Sequence, residues 1–156
     1  MNRFLPHVTV AAVVIEQGRF LLVEEHPRGA YGQPAVFNQP AGHLEAGESL
    51  LEATRRETLE ESGWQVAIEA YLGLYINTAP NGCVYHSHTL IARALSQKNT
   101  HLDEGIVAAH WLTLEEVKAL SQAGHLRSPL VLRRIEDALN QAHYPLSLIR
   151  DLDHPT

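Results

Sequence analysis

Apolar and polar positions along this chain follow two periods. Residues 8–15 form a β-branched, almost wholly apolar run, and residues 20–23 form a second, with Gln17-Gly18 between them. Short runs of this kind around a glycine turn predict a strand hairpin. Residues 65–76 and 84–95 predict another strand pair, with the turn signal Asn81-Gly82 between them. Residues 107–112 predict one more strand, entered from an acidic loop.

The other period is helical. Ser49 suits an N-cap, Glu52 completes a capping box, and Gly63 suits the position that ends a helix. Its apolar stripe starts at Leu50 and continues through Ala53 and Thr54. Thr113, with Glu116 at the capping-box position, starts a short helix through Leu120. Ser128 and Pro129 start a last helix, to about Gln141. Residues 26–36 form a long loop with two prolines and two glycines, and a loop of this length is mobile or functional. Tyr31 at its tip reads as a loop aromatic, with a substrate contact as the alternative. There is no repeat, low-complexity segment or linker. The alternating elements predict one α/β (α+β) domain over residues 1–156.

Composition narrows the partners. With 45% hydrophobic residues the chain can bury a core, and 156 residues suit one domain. A net charge of -6 argues against a broad nucleic-acid surface, which is normally basic. The lone cysteine, Cys83, permits no internal disulfide, fits a reducing compartment and reads as a small half-buried hydrophobe. No segment is long enough to span a membrane. Arg3 precedes the apolar run at 8–15, but no signal-peptide cleavage pattern follows, so the expectation is a cytoplasmic protein. The acidic composition of a small domain leans towards a monomer.

The helix over residues 49–63 carries the chemistry. Extended by its own spacing, the inward stripe arrives at Glu57 and Glu61, where a helix built for packing would place Leu or Ile. Glu57, Glu60 and Glu61 stand at i, i+3 and i+4 and share one face. Carboxylates so grouped repel one another unless a cation sits among them, and inward-facing carboxylates are costly unless paired or metal-bound. An oxygen-only donor set suits Mg²⁺ or Mn²⁺, whose usual partner is a phosphate. The alternative, a solvated acidic face, explains neither the bracketing glycines nor the inward placement.

Residues 42–64, GHLEAGESLLEATRRETLEESGW, resemble the Nudix box, G-x5-E-x7-R-E-U-x-E-E-x-G-U. Every fixed Gly, Glu and Arg is present. Thr58 and Trp64 replace the usual aliphatic residues at two packing positions. The flanks, among them Pro6-His7-Val8-Thr9, Phe37-Asn38-Gln39-Pro40-Ala41, Leu126-Arg127-Ser128-Pro129 and Tyr144-Pro145-Leu146, resemble the bacterial NudJ-type phosphatases. The resemblance implies a Nudix fold, a mixed sheet sandwiched between helices. It implies a Mg²⁺-dependent hydrolase (Mn²⁺ as substitute) in which water attacks phosphorus of a small phosphorylated substrate. Nucleoside tri- and diphosphates and the pyrimidine pyrophosphates of thiamine metabolism are the implied substrates. Nucleotide-sugar or dinucleoside polyphosphate hydrolysis is the alternative. A non-catalytic binding module is disfavoured because every box carboxylate is kept.

The resemblance also implies roles. Glu57, Glu60 and Glu61 are the metal ligands, with the carbonyl of Ala41 as a further candidate. Arg56 orients the glutamates through charge-assisted hydrogen bonds, Gly42 permits close approach of loop and helix, and Glu48 braces them. A fourth carboxylate is expected from Asp103 or Glu104, with Glu104 preferred. The general base stays open among Glu57, Glu60, Glu61 and Glu104. Asn38, Gln39, Tyr75 and Tyr85, with Phe37 and Asn77, are the candidates for holding a heterocycle, since stacking and edge readout need an aromatic and an amide. Taken alone, Phe37 and Tyr75 read as core. Of the ten histidines, His43 follows the box glycine and reads as a neighbour of the phosphates. His86 and His88 read as half-exposed strand residues.

Overall fold

The computed structural model describes residues 2–27, 32–98 and 101–155. Tyr31 and part of the 26–36 loop lie outside them. Among the described residues the chain runs β1 (His7–Glu16), β2 (Arg19–Glu25), β3 (Val36–Asn38), β4 (Ala41–His43), α1 (Leu50–Ser62), β5 (Trp64–Thr78), β6 (Val84–Gln97), β7 (Ile106–Thr113), α2 (Leu114–Gln122) and α3 (Leu130–Asn140). A 3-10 turn, Leu146–Leu148, follows. Gln17 and Gly18 join β1 to β2 with φ of 50° and 73°, the two positive φ values of a tight two-residue hairpin turn.

β1 is the organising strand. One edge runs parallel to β6, from His7 opposite Tyr85 to Val14 opposite Ala92. Its other edge pairs with β4 at residues 9–11 and with β2 at residues 15–16. β6 pairs antiparallel with β5, and β2 pairs antiparallel with β7 and β3. The sheet is therefore mixed, as expected. Alternation along a strand then builds two cores. Val13, Phe20 and Leu22 face Leu72, Ile91 and the helical residues Val117, Val131, Ile135 and Ala138. Ala12, Val14 and Leu21 face Val66 and Ala92. At the edge of this second cluster Trp64 meets Trp111 edge-on, ring centroids 5.4 Å apart.

The local rules hold for the helices. Ser49 accepts the Glu52 N–H, Glu52 accepts the Ser49 N–H, and Gly63 ends α1 in the left-handed region at φ 78°. Thr113 and Glu116 form a second capping box at α2. Ala53, Thr54 and Thr58 are buried on α1, and the Thr58 hydroxyl donates to the Thr54 carbonyl, so this hydroxyl in a packing position is satisfied within its own helix.

β3 and β4, three residues each, were not expected. Strands so short carry no period of their own. Tertiary partners create them: Phe37 N–H donates to the His125 carbonyl, Arg127 N–H donates to the Phe37 carbonyl, and Leu44 N–H donates to the Val8 carbonyl. These bonds bring the entry to α3 and the start of the 42–64 segment to the same end of β1.

Candidate active site

The site is built where β4, α1 and the loop before β7 converge. A Cβ on Gly42 would overlap the Glu57 carboxylate, so glycine is needed there for close approach, not for an unusual φ. Arg56 sits at the centre of the acidic group. Its Nε and Nη2 donate to the two Glu48 oxygens at 2.6 and 2.8 Å. Its Nη1 donates to Glu57 at 2.8 Å and to Glu60 at 3.3 Å, and Nη2 also reaches the His43 carbonyl at 3.1 Å. Glu48 in turn accepts the Glu45 N–H at 3.0 Å. The fork of Arg56 holds the Glu48 carboxyl below its usual range.

Glu57, Glu60 and Asp103 each offer an oxygen, all within 4.8 Å of one another. Asp103 is brought there by its backbone, whose N–H donates to the Glu60 carbonyl at 2.9 Å. Burial raises the Glu57 pKa. Arg56 opposes that shift, while Glu60 and Asp103 add to it. A hard cation fits this group: the donors are all carboxylate oxygens, close enough to share one ion, and mutual repulsion is what an ion would relieve. Glu104 does not join the group, so the preference for it over Asp103 is corrected. Glu104 lines the adjoining cleft instead. The two residues are neighbours in sequence, and the bond from the Asp103 N–H to the Glu60 carbonyl holds the backbone of Asp103 against α1.

Glu61 is outside this group and lines the cleft beside it. It is 9% exposed and accepts the Ala41 N–H at 2.8 Å. Burial is the main cause that pushes its pKa up to about 8, with Glu25, Glu57 and Asp103 adding repulsion. Ala41 itself pairs with Ala11 of β1. Glu25, the acidic neighbour from β2, is held by Arg127 at 2.7 Å.

The cleft beside the carboxylates has a volume of about 1100 Å³. Ala41, Gly42, Glu61 and Glu104 line one part of it, and Asn38, Asn77, Tyr85, Ser87, Arg127 and Arg134 line others. His43 and His7 are 3.1 Å apart at its edge, with the Tyr85 ring beside both.

One of the expected heterocycle contacts is corrected. Gln39 is 1% exposed, its Nε2 donates to the Val131 carbonyl at 2.7 Å, and its Oε1 accepts from Arg134 at 3.2 Å. It is a buried strut and offers no edge to a ligand. Tyr75 lines a depression beside α3 that shares Asn77, Ser128, Pro129 and Leu130 with this cleft, and its hydroxyl donates to Asp137 at 2.7 Å. Phe37 packs against the core. His88 bonds the Tyr71 hydroxyl at 2.9 Å, and burial lowers its pKa.

Sequence reasoning passed over Arg134, Ser87 and Glu25. Arg134 carried a usable signal. It falls on the inward stripe of α3 with Val131, Ile135 and Ala138, all buried.

Comparison with known proteins agrees with this geometry. Residues 5–134 match the NUDIX domain. The chain is 40% identical over 155 residues to the phosphatase NudJ of Escherichia coli K12, covering 97% of this chain and 95% of that one. A NUDIX hydrolase from Nitrosomonas europaea is similar in structure, with a TM-score of 0.89, 40% identity, and coverage of 97% of this chain and 100% of that one. An ADP-ribose pyrophosphatase from Streptococcus suis shares the fold at a TM-score of 0.65 and 16% identity, over 90% of this chain and 96% of that one. The chain belongs to the Nudix family. It is a phosphohydrolase acting on phosphate or pyrophosphate substrates.

Two outcomes follow from the site. Gly42→Ala displaces the Glu57 carboxylate and should lower kcat by about 100-fold with the fold retained. Steady-state kinetics with circular dichroism checks this, and a kcat within about twofold of wild type contradicts it. The second concerns pH. In the folded, metal-free protein Glu61 holds its proton up to about pH 8, against a reference value of 4.5. Between those values the folded state binds the extra proton, so this contribution is fully present below 4.5 and is lost as pH rises through about 8. Urea denaturation in chelator should therefore show a loss of stability from about pH 5 to about pH 8 that Glu61→Gln reduces. Equal slopes for the two proteins contradict the assignment.

Proposed function

We propose that this chain is a Mg²⁺-dependent hydrolase of small phosphorylated substrates. The substrates proposed are nucleoside tri- and diphosphates, thiamine pyrophosphate and hydroxymethylpyrimidine pyrophosphate, with release of orthophosphate. The observation that carries the reading is the convergence of Glu57, Glu60 and Asp103, with Glu57 against Gly42 at the wall of the cleft. The 40% identity to the phosphatase NudJ along almost the whole chain supports the substrate class. When bound, Mg²⁺ supplies charge neutralisation at the phosphate oxygens.

The residues of the chain do the rest. Glu57, Glu60 and Asp103 hold the ion, and Arg56 keeps Glu57 and Glu60 oriented towards one point. Water attacks the terminal phosphorus and one of the site carboxylates takes its proton; the bridging P–O bond breaks, so orthophosphate and the shortened substrate leave. Tyr85 and Asn38 line the cleft and are proposed to contact the organic part of the substrate by stacking and by amide hydrogen bonding.

The test is phosphate release from a panel of nucleoside tri- and diphosphates, thiamine pyrophosphate, ADP-ribose and a dinucleoside polyphosphate, with Mg²⁺ or with chelator. Direct orthophosphate release from the first three, abolished by chelator and lowered by at least about 100-fold in Glu60→Gln, is the expected result. Turnover of ADP-ribose or the dinucleotide alone overturns the substrate class. Hydrolysis that persists in chelator overturns the metal dependence.

A further inference from the structure

Arg134 is a further charged residue on an inward helical stripe, after Glu57 and Glu61 of α1. It is 5% exposed. Its Nε donates to Thr89 at 3.0 Å, its Nη1 to Gln39 at 3.2 Å and its Nη2 to Ser87 at 2.8 Å. All three partners are neutral. Among the described residues no carboxylate oxygen lies within 4.0 Å of the guanidinium. The Tyr75 ring, 5.7 Å from the guanidinium carbon, offers a partial counterweight through its π face. Burial pushes the pKa down to about 10, so the group still carries its charge near neutral pH.

A buried charge with neutral partners only is costly, and an apolar residue of similar size is often neutral or stabilising in such a place. Packing therefore does not account for an arginine here. A guanidinium has five N–H donors, and the three bonds to Thr89, Gln39 and Ser87 leave two of them. Arg134 and Ser87 both line the cleft that Glu61, Ala41 and Gly42 also line. The arrangement is a fixed fork, held from behind by neutral oxygens, with uncompensated charge at the wall of a cavity. Planar forks of this kind match phosphoryl oxygens.

We propose that Arg134, oriented by Ser87, Thr89 and Gln39, forms a phosphoryl-binding subsite separate from the carboxylate group, where it holds an oxyanion of the substrate that the metal does not. The proposal rests on the phosphohydrolase reading and deepens it: the favoured substrates carry a second anionic group at a distance from the reacting phosphorus.

The test needs no turnover. Thermal unfolding of the full chain is followed in chelator, with and without inorganic phosphate, at constant ionic strength set with chloride. Three proteins are compared: wild type, Arg134→Gln and Ser87→Asp. The last places a carboxylate of the chain beside the guanidinium and so supplies the missing anion from within. Wild type should gain about 3–6 °C in Tm at phosphate ten times its Kd. Arg134→Gln should lose most of that gain, and Ser87→Asp should lose it while folding at least as stably as wild type. Any general salting effect of phosphate is common to all three. A wild type that does not respond overturns the proposal, as does a folded variant that keeps the full response. If Arg134→Gln does not fold, Ser87→Asp decides. Failure of Mg²⁺-dependent hydrolysis would sink the functional reading while leaving this result intact, so the two failures are distinguishable.

Discussion

Everything in the catalytic half of this fold depends on how one guanidinium is shared. Arg56 contacts Glu48, Glu57, Glu60 and the His43 carbonyl. Its two-pronged grip on Glu48 ties α1 to the loop that precedes it. Its remaining reach aligns Glu57 and Glu60 without satisfying either fully, because one cation faces several carboxylates. The residual negative charge at Glu57, Glu60 and Asp103 is what a divalent ion answers. A structural arginine would end in a neutral pair, whereas this one leaves an excess of anion directed at one place.

The same constraint explains the glycine. Glu57 packs so closely on β4 that a side chain at Gly42 would displace its carboxylate. Burial then raises the Glu57 and Glu61 pKa values, opposed at Glu57 by Arg56 and at Glu61 by the N–H of Ala41. The capping box at Ser49 and the left-handed Gly63 fix where α1 starts and stops, and so fix the angle at which its glutamates meet the sheet.

Much of this was legible in the residues. The hairpin, α1 with both its caps, the β5–β6 pair and the capping box of α2 follow from local patterns, and the structure repeats them within a few residues. The inward glutamates follow from helical spacing. What was not legible depended on contacts distant in sequence. β3 and β4 depend on partners distant in sequence: β2 and residues 125–127 for β3, β1 for β4. Asp103 rather than Glu104 joins Glu57 and Glu60, and the Asp103 backbone is bonded to Glu60, a contact between residues distant in sequence. Gln39 looked like a reader of ligand edges, yet its amide is used by Val131 and Arg134. Arg134 on α3 falls under the rule that holds for α1: a charge on a buried stripe needs a partner, and among the described residues no carboxylate oxygen lies within 4.0 Å of it.

The central claim is that Glu57, Glu60 and Asp103 hold a divalent cation. Mn²⁺ titration followed by electron paramagnetic resonance, on wild type, Asp103→Asn and Glu104→Gln, tests it most directly. The account predicts that Asp103→Asn weakens Mn²⁺ binding by at least about 10-fold while Glu104→Gln leaves it within about twofold. Unchanged binding in Asp103→Asn together with a loss in Glu104→Gln would contradict it.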